Sequence, residues 1–375
     1  MTIKIGIIFG GRSGEHEISI RSAKTVVESI DPDRYSVVPI AITPDGRWLS
    51  QADSIRLFPQ ETQSILNDGH ISNDPIALIA DTSFKGLATL GLGEPSKVMP
   101  LDVVFPVLHG TFGEDGTIQG LLEMANLPYI GCGVLASSCG MDKVVMKKLF
   151  ADAGLPICRY RWFLRSEWEN DPTSIIRALE NDLGYPCFVK PANLGSSVGV
   201  SRANDFDSLS AAIELAAQYD RKIIIEESLE MREIECAVMG YDRPEASLPG
   251  EYIIHDGQNA FLDYTEKYAG TGNNEFVVPA PISDELTEKI RSLAVKAFTA
   301  IDGSGLARVD FFLRRDNGML LVNEINTMPG LTDASGFPKM WAGTGKNFPA
   351  VIDELVELAF DRHRDLARNR TSRAF

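Results

Sequence analysis

The sequence predicts an α/β protein: a parallel-sheet N-terminal domain followed by two domains of mixed α+β character. Three observations carry this. Strand, loop and helix alternate through the first third of the chain, the pattern that builds a parallel layer with its site at the carboxyl ends of the strands. The texture changes after about Ser138, where strands begin to flank a loop rich in glycine and serine. Finally, 375 residues, 44% of them hydrophobic, exceed one typical core and suggest divisions near residues 138 and 230.

The elements follow in order. "IKIGIIF" (3–9), apolar but for Lys4, reads as a buried parallel strand. The polar loop "GGRSGEHE" comes next, then a helical stretch to about Ile30. "YSVVPIAIT" reads as a second strand, and "LDVVFPVLHG" (101–110) as another buried one ending in a polar loop. Residues 50–97 are mixed and polar and define no clear element. "GTIQGLLEMANLPYIG" reads as a helix leading to a turn, and "CGMDKVVMKKLFADAGLP" as one helix closed by Gly154 and Pro156. "CFVKPANLGSSVGVSR" is strand, glycine-rich loop, strand; "SLSAAIELAAQY" is helical and "KIIIEESLE" a strand. Beyond "REIECAVMG" lie a polar stretch at 251–275, a helix at 284–301, a hairpin at 306–330, and a last helix from about Pro349.

Bulk properties exclude several classes. A formal net charge of −16 argues against nucleic acid or an anionic membrane as partner, so an anionic ligand needs a local basic pocket. Five cysteines, Cys132, Cys139, Cys158, Cys187 and Cys236, have no CxxC spacing and read as reduced thiols in a reducing compartment. The histidines form no HxxxH pair, which argues against zinc. The N-terminus does not read as a signal peptide and no apolar run has the length of a membrane span; the expectation is a soluble cytoplasmic protein.

The hairpin "LARVDFFLRRDNGMLLVNEINTMPG" places Arg308, Asp310, Glu324 and Asn326 inside strands that should be core. Side chains alternate along a strand, so Arg308 and Asp310 share a face, as do Glu324 and Asn326. A three-residue loop, Asp316 to Gly318, sets Arg315 opposite Met319, Asp310 opposite Glu324 and Arg308 opposite Asn326, with Gly318 taking the positive φ. Two close carboxylates repel unless one is protonated or a cation lies between them. Oxygen ligands from Asp, Glu and Asn suit Mg²⁺, which completes its shell with phosphates. The competing reading is a surface hairpin with solvated charges, but Phe, Leu and Val surround the acids densely.

Other segments add to this. The small residues of "KPANLGSSVGVSR" (190–202) let the backbone close over phosphates, although no Walker loop is present. Lys190 at a strand end and Lys143 at a helix start would supply the positive charge that the net balance lacks; each alone reads rather as a solvated surface amine, and the serine loop and acidic hairpin together reverse that. "IIIEESLE" can present main-chain groups and Glu226 to an adenine, with Glu233 for ribose, or can be core only. In "GGRSGEHEIS" the GxGxxG spacing of a dinucleotide loop is missing. Glu15 can hold an ammonium there, while Glu17 reads as a helix-terminus acid. His109 in "LHGTFGEDGTIQG" is either a ligand contact or a structural histidine. Residues 251–275, around Tyr264, Lys267 and Tyr268, have the composition of a lid or of a solvated loop.

In this order, "GGRSGEHEIS", "HGTFGEDGTIQG", "MDK", "KPANLGSSVGVS", "DYTEKY", "ARVDFF" and "EINTMPGLT" resemble the D-alanine–D-alanine ligases of the ATP-grasp superfamily over nearly the whole chain. The resemblance implies a two-domain ATP-grasp fold after the N-terminal domain, divided as 1–138, 139–230 and 231–375. It implies two D-alanines joined through an acyl phosphate, giving ADP and phosphate, for peptidoglycan precursor synthesis. It implies ATP as co-substrate, two Mg²⁺ with Mn²⁺ as a substitute, and a homodimer. By position, Lys143, Lys190, Ser197 and Lys267 would contact ATP phosphates, Glu226, Glu227 and Leu229 adenine, and Glu233 ribose. Glu15 and His109 would bind the first D-alanine and Ser335 the carboxylate of the second. Arg308 and the Gly330 amide would face the oxyanion, and Tyr268 would close over Glu15 and Ser196. Asp310, Glu324 and Asn326 would hold the metal. Gly336 departs from the family, where a bulkier residue is usual. The rivals are a D-alanine–D-lactate ligase, a nicotinamide-binding dehydrogenase, and a silent nucleotide-binding regulator.

Overall fold

The computed structural model describes residues 2–66, 71–91, 98–195, 198–254 and 274–370. Strand β1 (Ile3–Gly10) is followed by helix α1 (His16–Ser29) and β2 (Tyr35–Ile42). Residues 50–100, opaque in sequence, form two short helices, α2 (Gln51–Arg56) and α3 (Gln60–Leu66). They also form a small antiparallel sheet of β3 (Ile76–Leu78), β4 (Gly86–Thr89) and β5 (Val98–Pro100). The next strand, β6 (Val103–Pro106), joins β1 and β2 in a parallel sheet of order β2-β1-β6. Its connections carry apolar faces on both sides, which is why β1 is fully buried from Ile5 onward. The carboxyl ends of β1 and β6 deliver Gly10–Gly11 and His109–Gly110 to one edge of the sheet.

Helix α4 (Thr117–Met124) leads to α5 (Val134–Met141) and α6 (Lys143–Asp152). The sequence reads as a single helix from Cys139 to Gly154, but Asp142 divides it. Its extended backbone ends α5, and its carboxylate caps α6, accepting from Val144 and Val145 N–H at 3.0 Å each. Asp142 also pairs with Lys222 and accepts from Asn193 Nδ2 at 3.3 Å.

An antiparallel sheet of order β7-β10-β8-β9 comes next, built from β7 (Tyr160–Leu164), β8 (Cys187–Pro191), β9 (Ser201–Ala203) and β10 (Lys222–Glu227). Helices α7 (Arg165–Asn170), α8 (Pro172–Asp182) and α9 (Phe206–Tyr219) accompany it. It has its own apolar cluster, including Phe163, Trp168, Leu209, Ile213 and Ile225.

The last sheet runs β14-β13-β11-β15-β16, with β12 added to β11. Its strands are β11 (Met231–Gly240), β12 (Glu245–Ala246), β13 (Gly250–Ile254), β14 (Asn274–Val277), β15 (Gly305–Arg314) and β16 (Leu320–Asn326). Helix α10 (Asp284–Ala300) packs on one face together with α6, through Phe298, Ala294, Met146 and Phe150. Helices α11 (Gly336–Gly343) and α12 (Phe348–Leu366) pack instead with β1 and α1: Phe337, Trp341, Val351 and Leu355 share one cluster with Ile5, Ile7 and Phe9. Among the described residues no helix is long and apolar enough to cross a membrane.

The β15–β16 hairpin corrects the expected turn. Arg314 N–H donates to Met319 O at 2.9 Å, so the loop has four residues, 315–318, rather than three. Gly318 does carry the expected positive φ, 68°. That loop alone would set Asp310 opposite Asn323. A β-bulge restores the expected register: Phe311 pairs with Val322 but Asp310 pairs with Glu324, leaving Asn323 as the extra residue. Apolar burial follows the slip, with Leu320 and Val322 facing the α10 core on even numbers and Ile325 on an odd one.

The cap at α6 yields a prediction. Burial raises the Asp142 pKa, but Lys222, the cap amides and Asn193 outweigh it and hold it below the usual 3.8. Asp142→Asn keeps a capping side chain and loses the charge, whereas Asp142→Ala loses both. Expected costs at pH 7 are about 1 and about 2–3 kcal/mol. A depressed folded pKa gives stability that is present above the unfolded value and lost as pH falls. The Asn variant's deficit in urea denaturation should therefore hold from pH 7 to 5 and shrink below the usual 3.8.

Candidate functional site

One cleft gathers the carboxyl edge of the β1 sheet, the end of β8, Glu233 and Glu235 of β11, and the polar face of β15–β16; Glu226, Glu227 and Leu229 are not among the residues that line it. At its centre Arg308 grips Asp310 with two parallel bonds, Nε to Oδ1 at 2.6 Å and Nη2 to Oδ2 at 2.7 Å. Arg308 Nε also lies 3.4 Å from Glu235 Oε2. Asn326 Nδ2 donates to Asp310 Oδ2 at 3.1 Å. Burial pushes the Asp310 carboxyl up to about 6; Arg308 opposes this, while Glu235 and Glu324 add to it. Glu324 goes the other way: burial would raise it, but Lys143, Lys190 and Arg308 hold it below the usual range.

Lys143 opens α6, four residues before Lys147 and on the same face. Its Nζ lies 3.6 Å from Glu324 Oε2 and donates to Leu194 O at 2.9 Å. Lys190, from the end of β8, donates to Glu226 Oε2 at 2.7 Å, and Lys147 Nζ is 2.9 Å from Glu226 Oε1. Glu226 is therefore a buried carboxylate between two ammonium groups. Burial would raise its pKa, but Lys147 and Lys190 hold it far below the carboxylate range.

Glu227 reaches the other way, accepting from Arg159 N at 2.8 Å and Nε at 2.9 Å. Leu229 packs against Cys158, Phe312 and Leu321. Glu233 lines the cleft opposite Phe312.

On the other wall Glu15 stands at the N-terminus of α1, with no capping bond from its side chain. His109 is buried and held at both ring nitrogens. Nδ1 lies 3.0 Å from Met328 O and Nε2 2.9 Å from Ser22 Oγ, which also accepts from Leu331 N–H at 3.3 Å. A carbonyl only accepts, so Nδ1 carries the proton and Nε2 accepts from Ser22; burial, outweighing Glu15, lowers the pKa toward this neutral form. The ring thus fixes the 328–331 turn that presents Gly330 to the cleft. Ser335 Oγ is buried, 2.7 Å from Thr332 Oγ1, and accepts from Thr332 N–H at 3.1 Å. A Cβ on Gly336 would stand 2.6 Å from Glu235 Oε2 and 2.8 Å from Phe276 Cζ, so those groups fill the space of a larger residue.

The structure brings together Glu15, His109, Lys143, Lys190, Glu233, Arg308, Asp310, Glu324, Asn326, Gly330 and Ser335 around this cleft. Ser196, Ser197, Tyr264, Lys267 and Tyr268 lie outside the described residues. Sequence reasoning missed Glu235, Lys147 and Glu114. A charge inside "IECAV" was the available signal for Glu235. Glu114 accepts from Gly110 N–H at 2.7 Å, and burial, with Glu15 adding, pushes its carboxyl up to about 8.

Two carboxylates and an amide under two lysines and an arginine suit a divalent cation carrying phosphate. No group of three or more His, Cys, Asp or Glu forms a metal cage among the described residues. Burial, with Glu235 and Glu324 adding to it, disfavours the charged form of Asp310, and a bound cation would favour that form. The donor set fits the metal.

Comparison with known proteins reaches the same chemistry. Residues 4–132 match the family described as D-ala D-ala ligase N-terminus, and 149–357 that of the C-terminus. A D-alanine–D-alanine ligase of Thermoanaerobacter sp. is 45% identical over 366 residues, covering 97% of this chain and 98% of the relative. One from Bacillus velezensis is 45% identical over 358 residues, covering 96% and 98%. Among solved structures, the Coxiella burnetii D-alanine–D-alanine ligase gives a TM-score of 0.80 at 34% identity, covering 98% of each chain. The VanG D-Ala:D-Ser ligase of Enterococcus faecalis gives 0.81 at 33%, covering 96% of this chain and all of the other. The fold is that of an ATP-grasp enzyme. Within that class, the chain belongs to the D-alanine–D-alanine ligase family.

The Glu226 cluster predicts a stability effect. Glu226→Gln leaves two buried ammonium groups facing a neutral amide. It should cost about 3–5 kcal/mol in urea denaturation at pH 7.

Proposed function

We propose that the chain joins two D-alanines to D-alanyl-D-alanine at the expense of ATP, and that the polar hairpin is where phosphoryl transfer occurs. The carrying observation is that Asp310 and Glu324 face each other with Lys143 and Lys190 beside them. In this reading Asp310, Glu324 and Asn326 hold two Mg²⁺, with Mn²⁺ as a substitute. Bound there, the metal supplies charge neutralisation for the transferring phosphoryl group. Lys143, Lys190, Ser197 and Lys267 bind phosphates, the 226–229 segment adenine, and Glu233 ribose. Because Glu226 and Glu227 are engaged by lysines and by Arg159, adenine is read there mainly through main-chain groups.

A carboxylate is a poor electrophile, so the first D-alanine must be activated. Its carboxylate oxygen attacks the γ-phosphoryl of ATP; the bond to ADP breaks and an acyl phosphate forms. Glu15 holds its ammonium near His109. The neutral amine of the second D-alanine, anchored through Ser335, attacks the acyl carbon, and phosphate leaves. The tetrahedral oxyanion is held by Arg308, which Asp310 and Glu235 orient, and by the Gly330 amide. Such a donor contributes about 3–4 kcal/mol. Tyr268 closes over Glu15 and Ser196, excluding water from the acyl phosphate. The reading includes chain divisions near 138 and 230, a cytoplasmic homodimer, and a place in peptidoglycan precursor synthesis. A D-lactate-accepting ligase is not favoured, since the curated relatives cited are named for D-alanine.

Phosphate release with ATP, Mg²⁺ and D-alanine, followed by chromatography, tests the activity. With equal D-alanine and D-lactate at pH 7.5 the expected product is the dipeptide. Abundant D-alanyl-D-lactate would sink the specificity assignment, and no D-alanine-dependent phosphate would sink the activity.

Glu324→Gln removes one of the two facing carboxylates. Turnover should fall by about two orders of magnitude or more while the melting temperature holds. Near-normal turnover at low-millimolar Mg²⁺ would refute the hairpin assignment.

A further inference from the structure

We propose that Lys147 is a positioning residue: its ammonium ties the bulge in β16 to the end of β10 and so holds Glu324 and Asn326 on the face of Asp310. Lys147 is 1% exposed, among the largest fully buried side chains of the molecule. An ammonium has three donors and cannot be buried without acceptors. Its three partners come from three separate segments. Nζ lies 2.9 Å from Glu226 Oε1 at the end of β10, 3.2 Å from Asn323 O in β16, and 3.5 Å from Cys158 Sγ ahead of β7.

The Asn323 contact is the informative one. Asn323 is the bulge residue, the extra one between the pairs Phe311–Val322 and Asp310–Glu324. In a regular ladder the four-residue loop would carry its register through, pairing Asp310 with Asn323 and turning Glu324 to the opposite face. A bulge leaves its extra residue outside the ladder, so its backbone groups need another partner. Lys147 is a buried donor waiting at that carbonyl. Glu226 alone would have been satisfied as a counter-ion by Lys190. Lys147 therefore has a second task, and the geometry places that task one residue before Glu324.

This rests on the hairpin being the cation and phosphate platform, so the test has one arm that depends on that reading and one that does not. The variants are Lys147→Met, Glu226→Gln and the double variant Lys147→Met/Glu226→Gln. Hydrogen exchange by mass spectrometry reads the bulge directly. In Lys147→Met, exchange of residues 320–326 should rise about tenfold or more while residues 231–240 stay protected. The kinetic arm expects the ATP KM and the Mg²⁺ concentration for half-maximal rate to rise about tenfold, with the D-alanine KM moving less than about threefold.

If Lys147→Met does not fold, the double variant, in which residue 226 is the same neutral amide as in its reference, carries the test against Glu226→Gln. The proposal requires the double variant to exceed Glu226→Gln in both exchange at 320–326 and ATP KM. Equality would show that Lys147 acts only as a counter-ion and would overturn it. Unchanged exchange in a folded Lys147→Met would overturn it as well. Faster exchange with unaltered ATP and Mg²⁺ constants would overturn its functional half, and normal turnover of Glu324→Gln would then place the fault in the hairpin reading.

Discussion

Charge cannot be buried singly, and this constraint organises the centre of the molecule. From β10 to β15 the buried side chains alternate in sign: Lys190 and Lys147 on Glu226, Lys143 beside Glu324, Arg308 between Asp310 and Glu235. The charges come from α6, β8, β10, β11, β15 and β16, so the alternation forms only when the sheets are assembled. Removing one member leaves a neighbour desolvated without a partner, which costs more than the pair contributes. Asp310 remains the imbalance. Its acidity is weakened by burial, with Glu235 and Glu324 adding to it, despite a bidentate arginine, and a cation at the site would oppose that.

The hairpin shows how much of this was legible in the sequence. Parity along β15 identified Arg308 and Asp310 as one face, and the pairing of Asp310 with Glu324 is what the structure has. The expected route to that pairing was different: a three-residue loop in place of a four-residue loop plus a bulge. The two routes give one register at the site because the extra loop residue and the extra strand residue cancel. The signal lay in "LLVNEIN", whose buried apolar positions change parity across Asn323. The cap at Asp142 is a similar case. Its helix-forming surroundings hide a break that depends on Lys222 and Asn193, residues far along the chain. Lys147 and the His109–Ser22 contact were illegible for the same reason: their meaning is set by partners that no local pattern announces.

Residues 50–100 failed differently. Their two short helices and strands of three or four residues are too brief to show a period, and they are held by burial against the β1 sheet rather than by their own propensity. The glycine at 336 is legible only with Phe276 and Glu235 in view. Those two groups close in where a Cβ would stand, so the loss of a side chain in one strand-to-helix turn is matched by gains from β14 and β11.

The shared cluster of the β1 sheet with α11 and α12 has a consequence for how the chain is made. Ile5, Ile7 and Phe9 are synthesised long before the apolar surfaces that help cover them, Phe337, Trp341, Val351 and Leu355. The N-terminal sheet therefore spends nearly the whole of translation with one face unclosed, while the sheet around Phe163 and Ile225 can complete its own cluster midway. Synthesis order and folding order run opposite ways at the two ends of this chain. The interval between them is when a nascent molecule is most exposed to aggregation and to chaperones.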